Sequence, residues 1–394
     1  MNKIYLIKQD FRRNWLILFI VVISIMPLSL TTYNTYVLFI LLPIIFGAFS
    51  TASIWVCLFC LCYTIPFFEE GGLSTIFLYL FFPYIALSVG LELGKRFKYQ
   101  ESGLFFLVVL AIALALPAIF DNLKDYFQTG LFINITRSIT NDEGVKRIGA
   151  TGYGIMVSLV SGSLGMLIVK PRNLIDRRLK IVLLCFSLLG LFVTVHLINR
   201  TGLVIAAFSV VAALAVPPYN LKKIIYVISI LAISIAAFMY LFGDSMEVAD
   251  TIQSYTLRNQ GAGKVSSVSG RGDRWMAGII QLLDSPGGDL NGLRFEGHNA
   301  YAHNLWIDTG IIAGWAPMIL LLIITFYFIK ATYDITKARY LCNFDKGIVL
   351  LFCCSYILQC MTEPIIEGCF PFFLYMFYSL GVLTSMNRKY IRVS

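Results

Sequence analysis

Charge is what this sequence has least of. Only 13% of its 394 residues are Asp, Glu, Lys or Arg, where soluble proteins carry about 25%. That deficit excludes a water-soluble globular chain, which needs charged groups to cover its surface. Histidine is scarcer still, with only His196, His298 and His303. A zinc centre takes three or four ligands, and no group of histidines with cysteines supplies them, so no metal and no cofactor is expected. Cysteine is missing from the longest polar stretch, Phe242 to Asn304, so no disulfide staples it. The nine cysteines lie in or beside apolar segments, except Cys342 in a short basic loop. Cys57, Cys60 and Cys62 have no histidine nearby and read as small packing residues. Repeats, heptad series and low-complexity tracts are absent.

What is present is apolar. Hydrophobic residues make up 58% of the chain and the mean hydropathy is +0.79. Runs of about 20 apolar residues recur along its length, the pattern of a polytopic membrane protein. The expected fold class is therefore all-α, one membrane domain over residues 1–394, with twelve spans. They are placed at Trp15–Leu30, Tyr33–Phe49, Thr51–Phe68, Leu73–Gly94, Gly103–Phe120, Gly149–Val169, Ile181–Ile198, Gly202–Val216, Ile224–Phe242, Leu305–Ile329, Gly347–Met361 and Cys369–Met386. The first run follows a short basic segment but no small-residue cleavage site, so it reads as an uncleaved span. With this count, 21 of the 31 Lys and Arg residues fall on one side. The positive-inside rule then places both termini in the cytoplasm and the long polar stretch outside. The same rule accounts for the net charge of +9 without nucleic acid.

Residues 243–304 form the one long polar insertion, read as an external catalytic loop without obvious regular structure. A loop of this length inside a compact domain is usually functional or disordered. It holds His298, His303, Arg258, Arg271, Arg274 and Arg294. Arg271 and Arg274 precede an amphipathic stretch, Trp275–Leu283, and a guanidinium fork suits phosphate oxygens. The bland alternative is a solvated helix start balanced by Asp273. His303 lies just before a span, and imidazole suits base chemistry near neutral pH. His298 reads as an exposed loop histidine or a second candidate. Outside the loop, Arg200 sits at the external end of the seventh span, where an arginine is a functional hypothesis or a snorkelling side chain. His196 lies four residues earlier, expected on the same helix face, as a packed polar residue.

Taken in order, Asn199-Arg200-Thr201, Ser269-Gly270-Arg271 with Trp275, Pro286-Gly287-Gly288, and Ala302-His303-Asn304 entering a span with Gly310 and Gly314 resemble the O-antigen polymerase and O-antigen ligase superfamily. The resemblance covers roughly the seventh to tenth spans and the long loop. It implies a GT-C-like, all-helical glycosyltransferase of the bacterial inner membrane. Its substrate would be an undecaprenyl-diphosphate-linked oligosaccharide met at the outer face, within membrane lipid, with no metal. It also implies functional roles for the residues matching the family's motifs, here Arg200, Arg271 and His303. Arg274, His298 and Asn304 are further substrate-binding candidates. A chain-length regulator and a flippase of the same pathway are the expected protein partners.

On that reading Arg200 and Arg271 hold the diphosphate, with Arg274 behind them. His303 orients or deprotonates an acceptor hydroxyl, and Asp273 and Asp308 are fallback bases. A polymerase passes the chain to a new lipid-linked repeat unit and a ligase passes it to the lipid A core. A lipid-oligosaccharide flippase is the alternative from another class. No internal symmetry of the transporter kind is visible, however, and the charged residues gather outside the membrane core rather than at its middle.

Overall fold

The computed structural model describes residues 3–26, 50–70, 72–134, 136–140, 147–217, 224–227, 229, 268–295 and 298–391. The chain is mostly helical: α1 (Lys3–Ile25), α2 (Thr51–Thr64), α3 (Leu73–Arg96), α4 (Gln100–Thr129), α5 (Ala150–Gly162), α6 (Leu174–His196) and α7 (Arg200–Ala212). These are followed by α8 (Val268–Asp284), α9 (Leu305–Ala313), α10 (Trp315–Lys337), α11 (Asn343–Thr362) and α12 (Phe370–Ile391). The described residues also include short helical turns at Phe67–Glu70 and Ile365–Gly368 and two small antiparallel strand pairs, β1 (Ser138–Thr140) with β2 (Arg147–Gly149) and β3 (Leu293–Phe295) with β4 (His298–Ala300).

Six helices among the described residues are long and apolar enough to cross a membrane: α3, α4, α5 with its 3-10 extension to Leu167, α6, α10 and α11. The chain is therefore a membrane-embedded helical protein. The expected spans Tyr33–Phe49 and, for the most part, Ile224–Phe242 lie outside the described residues.

Helix α12 is the axis. Phe372 to Tyr378 are all buried to 1% exposure or less, the mark of a helix enclosed on every side. It lies against α3 where two glycines meet, since a Cβ on Gly90 would stand 2.4 Å from the Tyr378 carbonyl oxygen and one on Gly381 2.4 Å from that of Leu87. Small residues that let backbones touch are a standard device of membrane helix pairs.

Side-chain bonds fix which helix ends lie together. Asp10 accepts from Tyr99 N and Ser102 Oγ, Gln100 donates to the Tyr340 carbonyl, and Asn387 donates to Asp334. The start of α1 thus shares one end of the bundle with the α3–α4 and α10–α11 turns. Lys95, Arg96 and Lys98, basic residues counted on one side of the membrane, belong to this end.

Two local expectations change. The run Leu305–Ile329 is not one span but two helices, broken at Gly314, whose φ of +91° favours glycine. The long polar stretch is not structureless from Val268 onward: it forms the 17-residue α8 and then the β3–β4 hairpin.

Candidate functional site

The site grows from Glu363, the cap that ends α11. Pro364 follows it, and a residue before proline is driven out of the helical region. Glu363 is extended (φ −142°, ψ 153°) and leaves the helix axis just where the apolar run stops. Its carboxylate, 3% exposed, collects partners from three other parts of the chain. Thr201 Oγ1 donates to Oε1 at 2.8 Å, Arg271 Nη2 donates to Oε1 at 3.2 Å, and His303 Nδ1 lies 3.2 Å from Oε2. A buried carboxylate needs this kind of company, because leaving water unpaired costs several kcal/mol.

His303 is held by its backbone as well as its ring. Its φ of +58° lies in the left-handed region, uncommon outside glycine. The Asp308 carboxylate straddles it, Oδ1 accepting from Ala302 N at 2.6 Å and Oδ2 from Asn304 N at 3.0 Å. Asp308 is therefore the clamp of the His303 turn, each of its oxygens accepting one backbone bond. Asn304 is the N-cap of α9, its side-chain oxygen accepting from Trp306 N and Ile307 N. Since a carboxylate only accepts, His303 donates from Nδ1 to Glu363, and the neutral imidazole then carries its lone pair on Nε2.

Arg271 reaches this point because α8 is docked on α9. A Cβ on Gly278 would lie 2.8 Å from Ile307, and one on Gly310 would lie 2.9 Å from Leu282, so the glycines set the close approach. At the far end of α8 the Pro286-Gly287-Gly288 turn locks onto the α9–α10 break. Pro286 O accepts from Trp315 N at 3.1 Å, and Asp289 N donates to Ile311 O at 2.6 Å. Two motifs read separately in the sequence are thus one joint. The Arg271 side chain keeps 37% of its surface exposed while bound to Glu363, so the rest of its fork faces outward.

Arg200 opens α7, one residue before Thr201, and is exposed. His196 is not on its helix face. Helix α6 ends at His196, Ile198 turns left-handed (φ +52°), and Asn199 caps a new helix by accepting from Gly202 N. His196 is fully buried, with Nδ1 2.8 Å from Phe132 O and Nε2 2.9 Å from Asp125 Oδ2. Both ring nitrogens are engaged in pinning the 132–134 segment to α4 and α6.

The remaining candidates divide. Arg274 stacks its guanidinium 5.6 Å from the Phe295 ring, and its Nε is buried without a hydrogen-bond partner. His298 pairs with Phe295 in the β3–β4 hairpin. Asp273 is exposed on α8. Sequence reading missed Glu363 altogether; an acidic residue at the mouth of an apolar run, before proline, was the available signal. No group of His, Cys, Asp or Glu suited to a metal ion occurs among the described residues. A groove of about 320 Å³ lined by Phe11, Leu104, Asp176 and Asp345 lies at the other end of the bundle and touches none of these residues.

A second acid, Glu367, lies one turn beyond Glu363, outside the spans. It retains exposed surface, yet the protein crowded round its carboxyl strips hydration and, with the Asp308 charge second, raises it from its ordinary 4.5 to about 7. The sign follows directly. The folded chain binds this proton more tightly than the unfolded chain, so the contribution to stability is greatest below pH 4.5 and is lost as pH rises through 7. Between pH 5.5 and 8 the melting temperature is expected to fall, and Glu367→Gln should flatten that slope; an unchanged slope in the variant would remove Glu367 as its cause.

A scan of protein-family models finds none that matches this chain, and a search of curated proteins finds no match.

Proposed function

We propose that this chain is a membrane glycosyltransferase that polymerises lipid-linked oligosaccharide repeat units at the external face of a bacterial inner membrane. The observation that supports it most is the shared carboxylate. Glu363 binds His303 at one oxygen and Arg271 with Thr201 at the other, which sets an oriented imidazole beside an outward-facing guanidinium.

The chemistry assigns each group a task. The acceptor hydroxyl oxygen attacks the anomeric carbon of the lipid-linked glycan. The bond from that carbon to the diphosphate oxygen breaks, and its electron pair stays on the diphosphate. The hydroxyl proton passes to His303 Nε2, and Glu363 stabilises the imidazolium formed. Arg271 and Arg200 meet the charge that builds on the leaving diphosphate. Attack from the face opposite the leaving group inverts the anomeric carbon.

The test is a reaction in detergent with the host's undecaprenyl-diphosphate repeat unit, EDTA present and no lipid A core. A ladder of lipid-linked oligomers is expected. Arg271→Ala and His303→Ala should each reduce it by about 100-fold or more, while Arg271→Lys, which keeps the charge but not the fork, falls between. No ladder from folded protein would overturn the polymerase reading. Transfer appearing only when lipid A core is added would make the chain a ligase, and movement of the lipid across vesicles without transfer would make it a flippase.

A further inference from the structure

Next to the Glu363 cluster lies a group of polar side chains that the proposed chemistry does not use. Tyr63 on α2 is 1% exposed, and its hydroxyl is buried without a hydrogen-bond partner. A buried phenol left unpaired is costly, and in a native fold it asks for a ligand group or a water. The acids within its electrostatic reach are Glu367 and Asp308, with the Tyr79 and Tyr301 phenols beside them. Tyr63 packs edge-on against Tyr79, 5.0 Å between ring centroids, and Tyr79 against Phe370 at 5.7 Å.

Two members open outward. Tyr301 is 41% exposed, and Glu367 keeps exposed surface. No cation among the described residues pairs with Glu367. The Asp308 carboxylate is buried against the backbone around His303, so Glu367 is the exposed acceptor of the pair. Asp308, which clamps the backbone on both sides of His303, interacts electrostatically with Tyr63, Tyr301 and Glu367, so this group borders the histidine turn.

An aromatic wall suits the C–H face of a pyranose, phenols donate to ring and hydroxyl oxygens, and a carboxylate accepts from hydroxyls. We infer that Tyr63, Tyr79, Tyr301 and Glu367 form a sugar-binding subsite that holds the acceptor ring, with its hydroxyl toward His303 Nε2. This rests on the transferase reading for the word acceptor, but sugar binding itself does not depend on it.

The test uses the full chain in lipid nanodiscs, free of sugar-headed detergent. Saturation-transfer NMR is read with D-glucose, D-galactose, N-acetyl-D-glucosamine and L-rhamnose, each at millimolar concentration, and with tetramethylammonium as a cation probe. At least one sugar is expected to give a signal, reduced five-fold or more by Tyr79→Leu and by Glu367→Gln and kept in Arg271→Ala. The melting temperature of each variant checks its fold, and Tyr301→Leu, on the exposed loop, serves if Tyr79→Leu fails to fold. No signal from any sugar, or one that Arg271→Ala abolishes and the wall variants do not touch, overturns the subsite. A tetramethylammonium signal without a sugar signal overturns it in favour of a cation site. A sugar signal together with no transfer activity would keep the subsite and remove the transferase reading.

Discussion

Glu363→Gln is expected to lower transfer on the order of 10³- to 10⁴-fold, the scale seen when a carboxylate that orients a catalytic histidine loses its charge. The side chain is nearly isosteric, so the loss is electrostatic and directional. A glutamine carbonyl can accept one bond, but its amide NH2 must then face a donor: either the Arg271 guanidinium and Thr201 hydroxyl, or His303 Nδ1. One half of the cluster is broken whichever way the amide turns. With the NH2 toward His303 the imidazole loses the group that holds its proton on Nδ1, and in either orientation the developing imidazolium loses its counter-charge. The fall should appear in kcat, with the KM for the lipid donor changing much less, because Arg271 and Arg200 remain. The pH–rate profile should shift as well, which a purely structural loss would not produce. Retention of a tenth or more of wild-type kcat in folded protein would show that Glu363 does not orient the base.

The second large effect is on stability. Gly381→Leu should cost about 3 kcal/mol or more, the upper range for overpacking. Its Cβ would stand 2.4 Å from Leu87 O and 2.6 Å from Leu91 N, and both are backbone atoms of α3 that cannot swing aside. Either α3 and α12 separate, losing the contact at Gly90 as well, or the chain fails to pack. Gly287, with nothing within 4 Å of a built Cβ, is the control; Gly287→Ala should melt like the wild type. Thermal unfolding in detergent measures both. Equal melting temperatures for the two variants would mean that the α3–α12 contact does not limit stability.

These two predictions rest on different kinds of information. The Gly90–Gly381 contact joins residues 291 positions apart, and nothing in the pattern around either glycine identifies its partner. Glu363 is separated from His303 by 60 residues, from Arg271 by 92 and from Thr201 by 162. Each is legible alone as a polar group near the end of an apolar run, but their meeting on one carboxylate is not. His196 shows the opposite error. Four-residue spacing from Arg200 implied one helix face, and a left-handed Ile198 with an Asn199 cap split the stretch into two helices. Helical periodicity holds only while the backbone stays helical, and a single dihedral can end it.

The sequence by itself determined the class of the molecule. Too few charges to cover a soluble surface, and apolar runs long enough for a bilayer, leave a helical membrane protein as the economical solution, since every backbone polar group in lipid must be satisfied within its own segment. Locally it holds proline after Glu363, glycine at 314 and asparagine at 304, but the break at Gly314 and the Asn304 cap emerged only from the structure. The tertiary structure alone decided which pieces share a site. That choice comes from close contacts, Gly278 on Ile307, the Pro286 turn on Trp315, and one buried carboxylate needing three donors. Such contacts depend on distances of a few ångströms between segments far apart in the chain, which local composition and spacing do not encode.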